Sequence, residues 1–317
     1  TLLSLKDVKI TGICDFNKKK LNKIKNKYKN NEKLSNCKFS DDFNDLLKIE
    51  GTDLAVIASY DNFHFQHIKK LSSKKVNIFI EKPLCQSISE FVKIKKLINK
   101  NKIFISSNFV LRENPIFKSL KKNIENKKLG EIYHFEGEYN YGRIQKLHKG
   151  WRGKINFYSV NQGGAIHILD LILFLKEMKL KKVYSLGNNI CSKSSNFKHF
   201  DISTNIFKFE DKTTAKITSN FSSVTPHHHK LSIYGTKGSF EYNFINNIYF
   251  FSRDYQKKKI KVSKNIYNFN KSNVLKKYVK LILKKDYKLL NKYKKDLYQV
   301  TEIILKMDKN LKFNNFK

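Results

Sequence analysis

A lysine and a histidine carry the strongest chemical possibilities in this chain. Lys82 stands between Glu81 and Pro83, directly after the apolar run from Val76 to Ile80. Such a run reads as a buried parallel strand, and Pro83 must end it. An ammonium at a strand end can donate to a reacting oxygen and steady its charge. The bland alternative is a strand end capped by two solvated charges. His167 can carry a proton near neutral pH. It follows Gly163 and Gly164 and lies three residues before Asp170, so on a helix the two share a face. The alternative is a histidine packed inside a buried helix and oriented by Asp170. Nearby, Arg152 could grip a phosphate or carboxylate with both arms of its fork. Tyr141, Arg143 and Lys154 add charge and hydrogen bonding suited to a diphosphate. His227, His228 and His229 suggest a metal at first sight. Neighbours on a strand point to opposite faces, so the three do not converge on one ion, and no metal is expected.

These residues need elements to hold them. Val8 to Asp15 reads as a strand ending in an acid, and Asn17 to Asn30 as a helix with Leu21, Ile24 and Tyr28 on one face. Asp15 could bind ribose hydroxyls or cap that helix. Thr52 to Ala58 is a second buried strand, followed by a polar turn from Ser59 to His64 and a helix. Ser87 to Asn99 is helical, and Ile103 to Ser107 is a strand closing with Asn108. Strand, turn, helix, strand is the pattern of a parallel sheet, which binds ligands at the carboxyl ends of its strands. A glycine-rich phosphate turn should lie about 20 residues before the acid. Only 14 residues precede Asp15, and none forms that turn. The first strand and its glycines are therefore expected upstream of this chain. After Pro115 the period changes to alternating strands, the pattern of an antiparallel sheet with one open face. The tail, Val274 to Asn310, reads as helices, with Leu297, Val300, Ile304 and Met307 on a core-facing stripe. The expected fold is α/β, a Rossmann-like doubly wound parallel sheet over residues 1–112. An α+β domain with a large, mostly antiparallel open sheet and C-terminal helices should occupy 113–317.

The formal net charge of +37 on 317 residues raises the question of nucleic acid. The excess is lysine, spread along the chain. The only arginines, the residue suited to bidentate phosphate and base contacts, are Arg112, Arg143, Arg152 and Arg253. No nucleic-acid groove is expected. Four scattered cysteines, without metal spacing or a CxxC pair, suggest a reducing, cytoplasmic interior. The longest apolar run, Ile168 to Leu175, contains Asp170 and is too short to span a bilayer.

The pieces Ile13 to Asp15, Ala58 to Tyr60 with Asn62 and His64, and Glu81 to Pro83 occur in order. They continue with Asn108 to Pro115, Trp151 with Arg152, Gly163 and Gly164 before His167 and Asp170, and Ile233 to Phe240. In that order the chain resembles the Gfo/Idh/MocA family of nicotinamide-dependent oxidoreductases over nearly its whole length. The resemblance implies NAD(P)-dependent hydride transfer to or from a hydroxyl or keto group of a sugar or nucleotide-sugar, of the kind used in surface-polysaccharide synthesis. It implies a homo-oligomer. It makes Lys82 and His167 the catalytic pair, with Asp170 beside them. It places Asp15, Asn17, Ser59, Tyr60, Asn62, His64, Glu81, Lys82, Asn108, Trp151 and Arg152 at the cofactor. Lys82, Arg112, Tyr158, Gln162 and His167 fall at the substrate. Asp15 favours NAD over NADP, because an acid repels the 2′-phosphate. The family pattern has an Asp four residues before the histidine, where this chain has Gly163. The proton chemistry would then fall on His167 and Lys82, supported by Asp170 or Tyr158. A second reading is a relative that has lost catalysis and senses a nucleotide or sugar.

Overall fold

The computed structural model describes residues 1–251, 259–264 and 269–314. The chain forms two compact units. The first comprises Thr1–Glu81, Val92–Asn108 and Ser272–Lys295; the second comprises Lys82–Phe91, Phe109–Lys271 and Asp296–Lys317. A boundary at residue 112 is what sequence alone suggests. The compact units also draw a late segment into the first and 82–91 into the second.

In the first unit, β1 is only Gly12–Cys14, shorter than the strand expected over Val8 to Asp15, and it pairs in parallel with β2 (Lys38–Ser40). Between them runs α1 (Lys18–Lys27), whose start is fixed by Asn17 accepting from the Lys20 amide at 3.1 Å. Only Leu21 of α1 is buried, so its lysines face water. A short α2 (Phe43–Leu46) leads to β3 (Leu54–Ile57). Helix α3 (His64–Ser73), β4 (Asn77–Ile80), α4 (Ile88–Lys100) and β5 (Ile105–Ser107) follow. Strands β3, β4 and β5 form a three-stranded parallel sheet in that order, with Ile57 opposite Ile80 and Ile80 opposite Ser107. Ile78, Phe79 and Ile80 are buried, so β4 is covered on both faces. Among the described residues no ladder joins the β1–β2 pair to this sheet. The expected doubly wound sheet is thus present as two parallel pieces.

The second unit takes the first turn of α4 and continues at α5 (Pro115–Glu125), where Asn114 caps the Ile116 amide at 2.9 Å and Pro115 takes the first helical position. Strand β6 (Ile132–Asn140) and the short α6 (Gln145–His148) lead to a π-helical turn, Asn161–Ala165, and then α7 (Ile166–Leu175). The sequence pattern is helical after His167; the wider turn before it is a finding of the structure. Every residue of α7 except His167 and Phe174 is buried. Strands β7 (Leu180–Asn188), β8 (Ile202–Phe209), β9 (Thr214–Asn220), β10 (His228–Gly235), β11 (Ser239–Tyr242), β12 (Asn246–Phe250) and β13 (Lys259–Lys264) complete the unit's strands. The eight strands lie in the order β13-β12-β11-β10-β6-β9-β8-β7. All pairs are antiparallel except β6 with β9. α7 packs on β6 at Gly137, where any side chain would run into Ile168.

Helix α8 (Asn273–Leu283) and the start of α9 (Tyr287–Asn314) return to the first unit, where Val274, Tyr278 and Leu290 pack with Phe79. From Asp296 onward α9 belongs to the second unit. Its stripe of Leu297, Val300, Ile304 and Met307 is at most 1% exposed, the core packing that the spacing predicts. Among the described residues no helix is long and apolar enough to cross a membrane.

Candidate functional site

The candidate residues fall into two groups, one in each unit. In the first unit they line the carboxyl ends of the parallel strands. The Glu81 amide donates to Ile57 O at 2.9 Å, and the Asn108 amide donates to Ile80 O at 3.2 Å. Asn108 Nδ2 then donates to Glu81 Oε1 at 2.8 Å, tying two strand ends together. In the turn after β3, His64 is fully buried and its Nε2 meets Ser59 O at 3.1 Å. A carbonyl only accepts, so Nε2 carries the hydrogen. His64, expected at the cofactor, thus also braces the turn through the Ser59 carbonyl. Ser59 Oγ lies 3.0 Å from His67 Nδ1. Asn62 is exposed in the short helical turn Asp61–Phe63. Tyr60 meets the exposed Phe16 edge-on at 5.9 Å.

Asp15 follows β1, partly exposed, and its Oδ1 accepts the Asn17 amide at 2.9 Å. Asn17 is itself occupied as the cap of α1. The two readings of Asp15 are thus compatible, since one oxygen steadies the helix start and the carboxylate stays open to solvent. An accessible acid at a strand end, beside the aromatic pair Phe16 and Tyr60, has the chemistry to hold a ribose diol. The first unit fits a dinucleotide in this respect.

In the second unit, Lys82 Nζ donates to Gly163 O at 2.8 Å, four residues before His167. The Lys82–Pro83 bond is cis. Gly163 has no room for a side chain, because a Cβ there would meet the Tyr158 hydroxyl and come within 3.1 Å of Phe221. Tyr158 thus fills the space where an acid could have stood. Its hydroxyl accepts from Arg152 Nε at 3.1 Å, and the guanidinium lies 4.7 Å over Trp151. Gly163→Ala is expected to cost about 1–3 kcal/mol by overpacking. Urea unfolding would show the loss, and adding Tyr158→Phe should recover part of it.

His167 is partly exposed and stacks on Tyr139 at 5.6 Å, with ring planes 15° apart. Burial, and next the Lys82 ammonium, hold its pKa well below the usual imidazole value. His227 and His229 join it: their rings are 5.2 Å apart, and each meets Tyr139 edge-on. His228 points the other way, with Nδ1 donating to Pro226 O at 2.7 Å. The alternation holds, yet it puts His227, just before β10, and His229 on one face against Tyr139, with His229 6.5 Å from His167. Among the described residues no group of three or more His, Cys, Asp or Glu could hold a metal ion. Burial lowers His227 to about 4 and His229 to about 3, with Arg143 the next cause for the first and His227 for the second. Folded pKa values below the unfolded value mean that unfolding takes up protons in acid. The stability from these neutral rings is complete above the unfolded histidine pKa, about 6.5, and is lost as pH falls toward 4 and 3. Melting curves should therefore steepen in pH dependence below 6.5. The double variant His227→Gln, His229→Gln should flatten that dependence.

Three expected site residues are committed elsewhere. Arg112 Nη2 meets Asp170 Oδ1 at 2.6 Å, Nε donates to both oxygens of the same carboxylate, and Nη1 meets Asp296 Oδ2 at 2.7 Å. Asp170 is 1% exposed, and a carboxylate so buried needs a cation. It turns to Arg112 and not to His167, although helical spacing puts Asp170 near the histidine. Neither Arg112 nor Asp170 is thereby presented to a substrate. Gln162 is buried, and its Nε2 donates to Asp308 Oδ2 at 2.8 Å. Its expected contact with substrate is replaced by an internal one. Sequence reading missed Asp308, Tyr139 and the pairing of His227 with His229. Only the alternation along β10 could have revealed the last of these.

Comparison with known proteins places this geometry. Residues 2–109 match the oxidoreductase family with an NAD-binding Rossmann fold, and 117–241 match the Gfo/Idh/MocA C-terminal domain. An uncharacterised oxidoreductase of Bacillus subtilis, YrbE, is 25% identical over 205 residues, which are 62% of this chain and 57% of that protein. The Escherichia coli oxidoreductase YhhX is 25% identical over 142 residues, 44% of this chain and 40% of that protein. The chain thus matches 57% and 40% of the lengths of these two relatives. Its fold is similar to that of myo-inositol 2-dehydrogenase from Lactobacillus plantarum, with TM-score 0.74 at 16% identity over 99% of this chain and 92% of the other. It is also similar to scyllo-inositol dehydrogenase from Lactobacillus casei with NAD(H) and scyllo-inositol bound. There the TM-score is 0.72 at 17% identity, over 99% of this chain and 92% of the other. The chain belongs to the Gfo/Idh/MocA family of oxidoreductases, with an NAD-binding Rossmann region followed by that family's C-terminal domain.

Proposed function

We propose that this protein is an NAD-dependent dehydrogenase or reductase acting on a hydroxyl or keto carbon of a sugar, polyol or nucleotide-sugar. The observation that carries the reading is the placement of Lys82, fixed by Gly163 O one helical turn before the partly exposed His167. Bound nicotinamide supplies the acceptor or donor of hydride. The chain's residues do the rest. Lys82 donates to the substrate oxygen and stabilises the charge that develops there. His167, neutral at physiological pH, takes the hydroxyl proton in oxidation and returns it in reduction. Asp15 holds the ribose diol and sets the preference for NAD over NADP. Asn108 and Glu81 keep the strand ends in register. Arg152, backed by Trp151 and Tyr158, gives the substrate side a cation, which suits a phosphorylated sugar. A role in surface-polysaccharide synthesis, a cytoplasmic setting and a homo-oligomeric state belong to the same proposal.

The test is titration with NAD(H) and NADP(H), followed by turnover on panels of inositols, free sugars and nucleotide-sugars. Saturable NADH binding with turnover on at least one panel supports the reading. A sensor is the second reading, favoured by the Tyr158 hydroxyl filling the space at Gly163. Tight binding of a sugar with no turnover on any panel would select it.

A further inference from the structure

Lys82 is held by a backbone carbonyl, so whatever fixes that carbonyl also places the ammonium. Gly163 belongs to the turn Asn161–Ala165, all five residues of which are buried. Its amide donates to Ser159 O at 2.8 Å, and its carbonyl accepts Lys82 Nζ. A π-helical turn is rare and occurs mostly as a single turn within an α-helix, frequently at functional sites. One carboxylate on α9 holds this turn from one side. Asp308 is 6% exposed. Its Oδ1 accepts Ser159 Oγ at 2.6 Å and Asn161 Nδ2 at 3.0 Å. Its Oδ2 accepts Gln162 Nε2 at 2.8 Å. Three donors from the four residues before Gly163 thus meet a single anion. Hydrogen bonds to an ionised acceptor are shorter and stronger than neutral ones.

The sheet secures the same turn from another side. Asn161 Oδ1 accepts Ser203 Oγ at 2.6 Å and Asn205 Nδ2 at 3.0 Å, which fixes the orientation of the Asn161 amide. Ser159 Oγ, while donating to Asp308, accepts the amides of Asn161 and Gln162 at 3.1 and 3.2 Å. We propose that Asp308 is a positioning residue for Lys82, acting through the turn Asn161–Ala165 on the carbonyl that holds the ammonium. It touches neither substrate nor cofactor. The inference takes the catalytic role of Lys82 from the function proposed above, but the placement of Lys82 can be read without turnover.

Asp308→Asn keeps size and shape while turning one acceptor into a donor that faces other donors. The experiment is reductive methylation of the full chain with formaldehyde and cyanoborohydride. The rate at Lys82 is read by peptide mass spectrometry relative to the exposed Lys96. Asp308→Asn is expected to raise that relative rate about fivefold, the effect of losing one hydrogen bond. Where wild type turns over, kcat should fall about tenfold with the KM for NADH unchanged. General loosening would accelerate all protected lysines alike, so Lys121 and Lys176 serve as internal controls. Glu302→Gln, on the same helix, should leave the Lys82 rate as in wild type. A Lys82 rate within about twofold of wild type in folded Asp308→Asn overturns the inference. Should that variant fail to fold, Ser159→Ala decides by the same criterion. Absence of turnover in wild type would count against the proposed function alone, because the methylation rates still judge Asp308.

Discussion

Lys82→Ala is expected to lower kcat about 10³-fold while the protein remains folded, in the range for losing a donor to developing charge or a proton-transfer group. His167→Ala should lower kcat by about 10²–10⁴-fold. The double variant should be little worse than the more damaging single one, since groups acting as a unit do not add. Single-turnover nicotinamide absorbance measures each case, and a kcat within tenfold of wild type for either single variant would remove that residue from the chemistry. The pH profile gives a sharper check. His167 must be neutral to accept a proton, and burial with Lys82 depresses its pKa well below 6.5. Oxidation in wild type should therefore hold steady as pH drops through 6.5 and fail only in stronger acid. Lys82→Ala removes the charge that opposes protonation of His167. The acid limb of its residual activity should move upward, toward the ordinary imidazole value.

Arg112→Ala should cost about 3–5 kcal/mol of stability, because it leaves the Asp170 carboxylate buried without its cation. Burial already lifts the Asp170 carboxyl above its usual pKa although Arg112 draws it down, so the site depends on its partner. Asp296, on α9, loses an arginine contact in the same variant. Arg112→Met with Asp170→Leu should recover most of the loss, since an apolar pair of similar volume avoids desolvating two charges. Urea unfolding of the three proteins measures both effects. The comparison also separates scaffold from chemistry. If Asp170 served His167, the apolar double variant would be stable and inactive. We expect it to be stable and active. An Arg112→Ala protein as stable as wild type would refute the scaffold role.

The strand before Lys82 was legible because a parallel strand buried on both faces leaves a continuous apolar run, and proline marks its end. The alternation of the later strands was legible for the same local reason, as was the core stripe of α9. What escaped depended on partners far along the chain. Helical spacing relates Asp170 to His167 but knows nothing of Arg112, 58 residues away. Gly163 read as a missing acid; only the folded chain shows the Tyr158 hydroxyl already in that space. Three successive histidines read as divergent, which is true of His228. The two that share a face gain their meaning from Tyr139 and His167 on other elements. Asp308, on the core-facing helix α9, carried no mark in the sequence. Its role comes from the buried donors it meets, which no local period reveals.

The packing of Phe79 with Val274, Tyr278 and Leu290 has a consequence for synthesis. A chain made from its amino end exposes β4 early, but the residues that cover Phe79 leave the ribosome nearly 200 positions later. The unit begun first is thus among the last to be finished. Until then its apolar strand needs shielding by chaperones or by transient contacts within the nascent chain. A fragment ending near residue 112 would keep that exposure permanently, and its tendency to aggregate would report on the missing late helices.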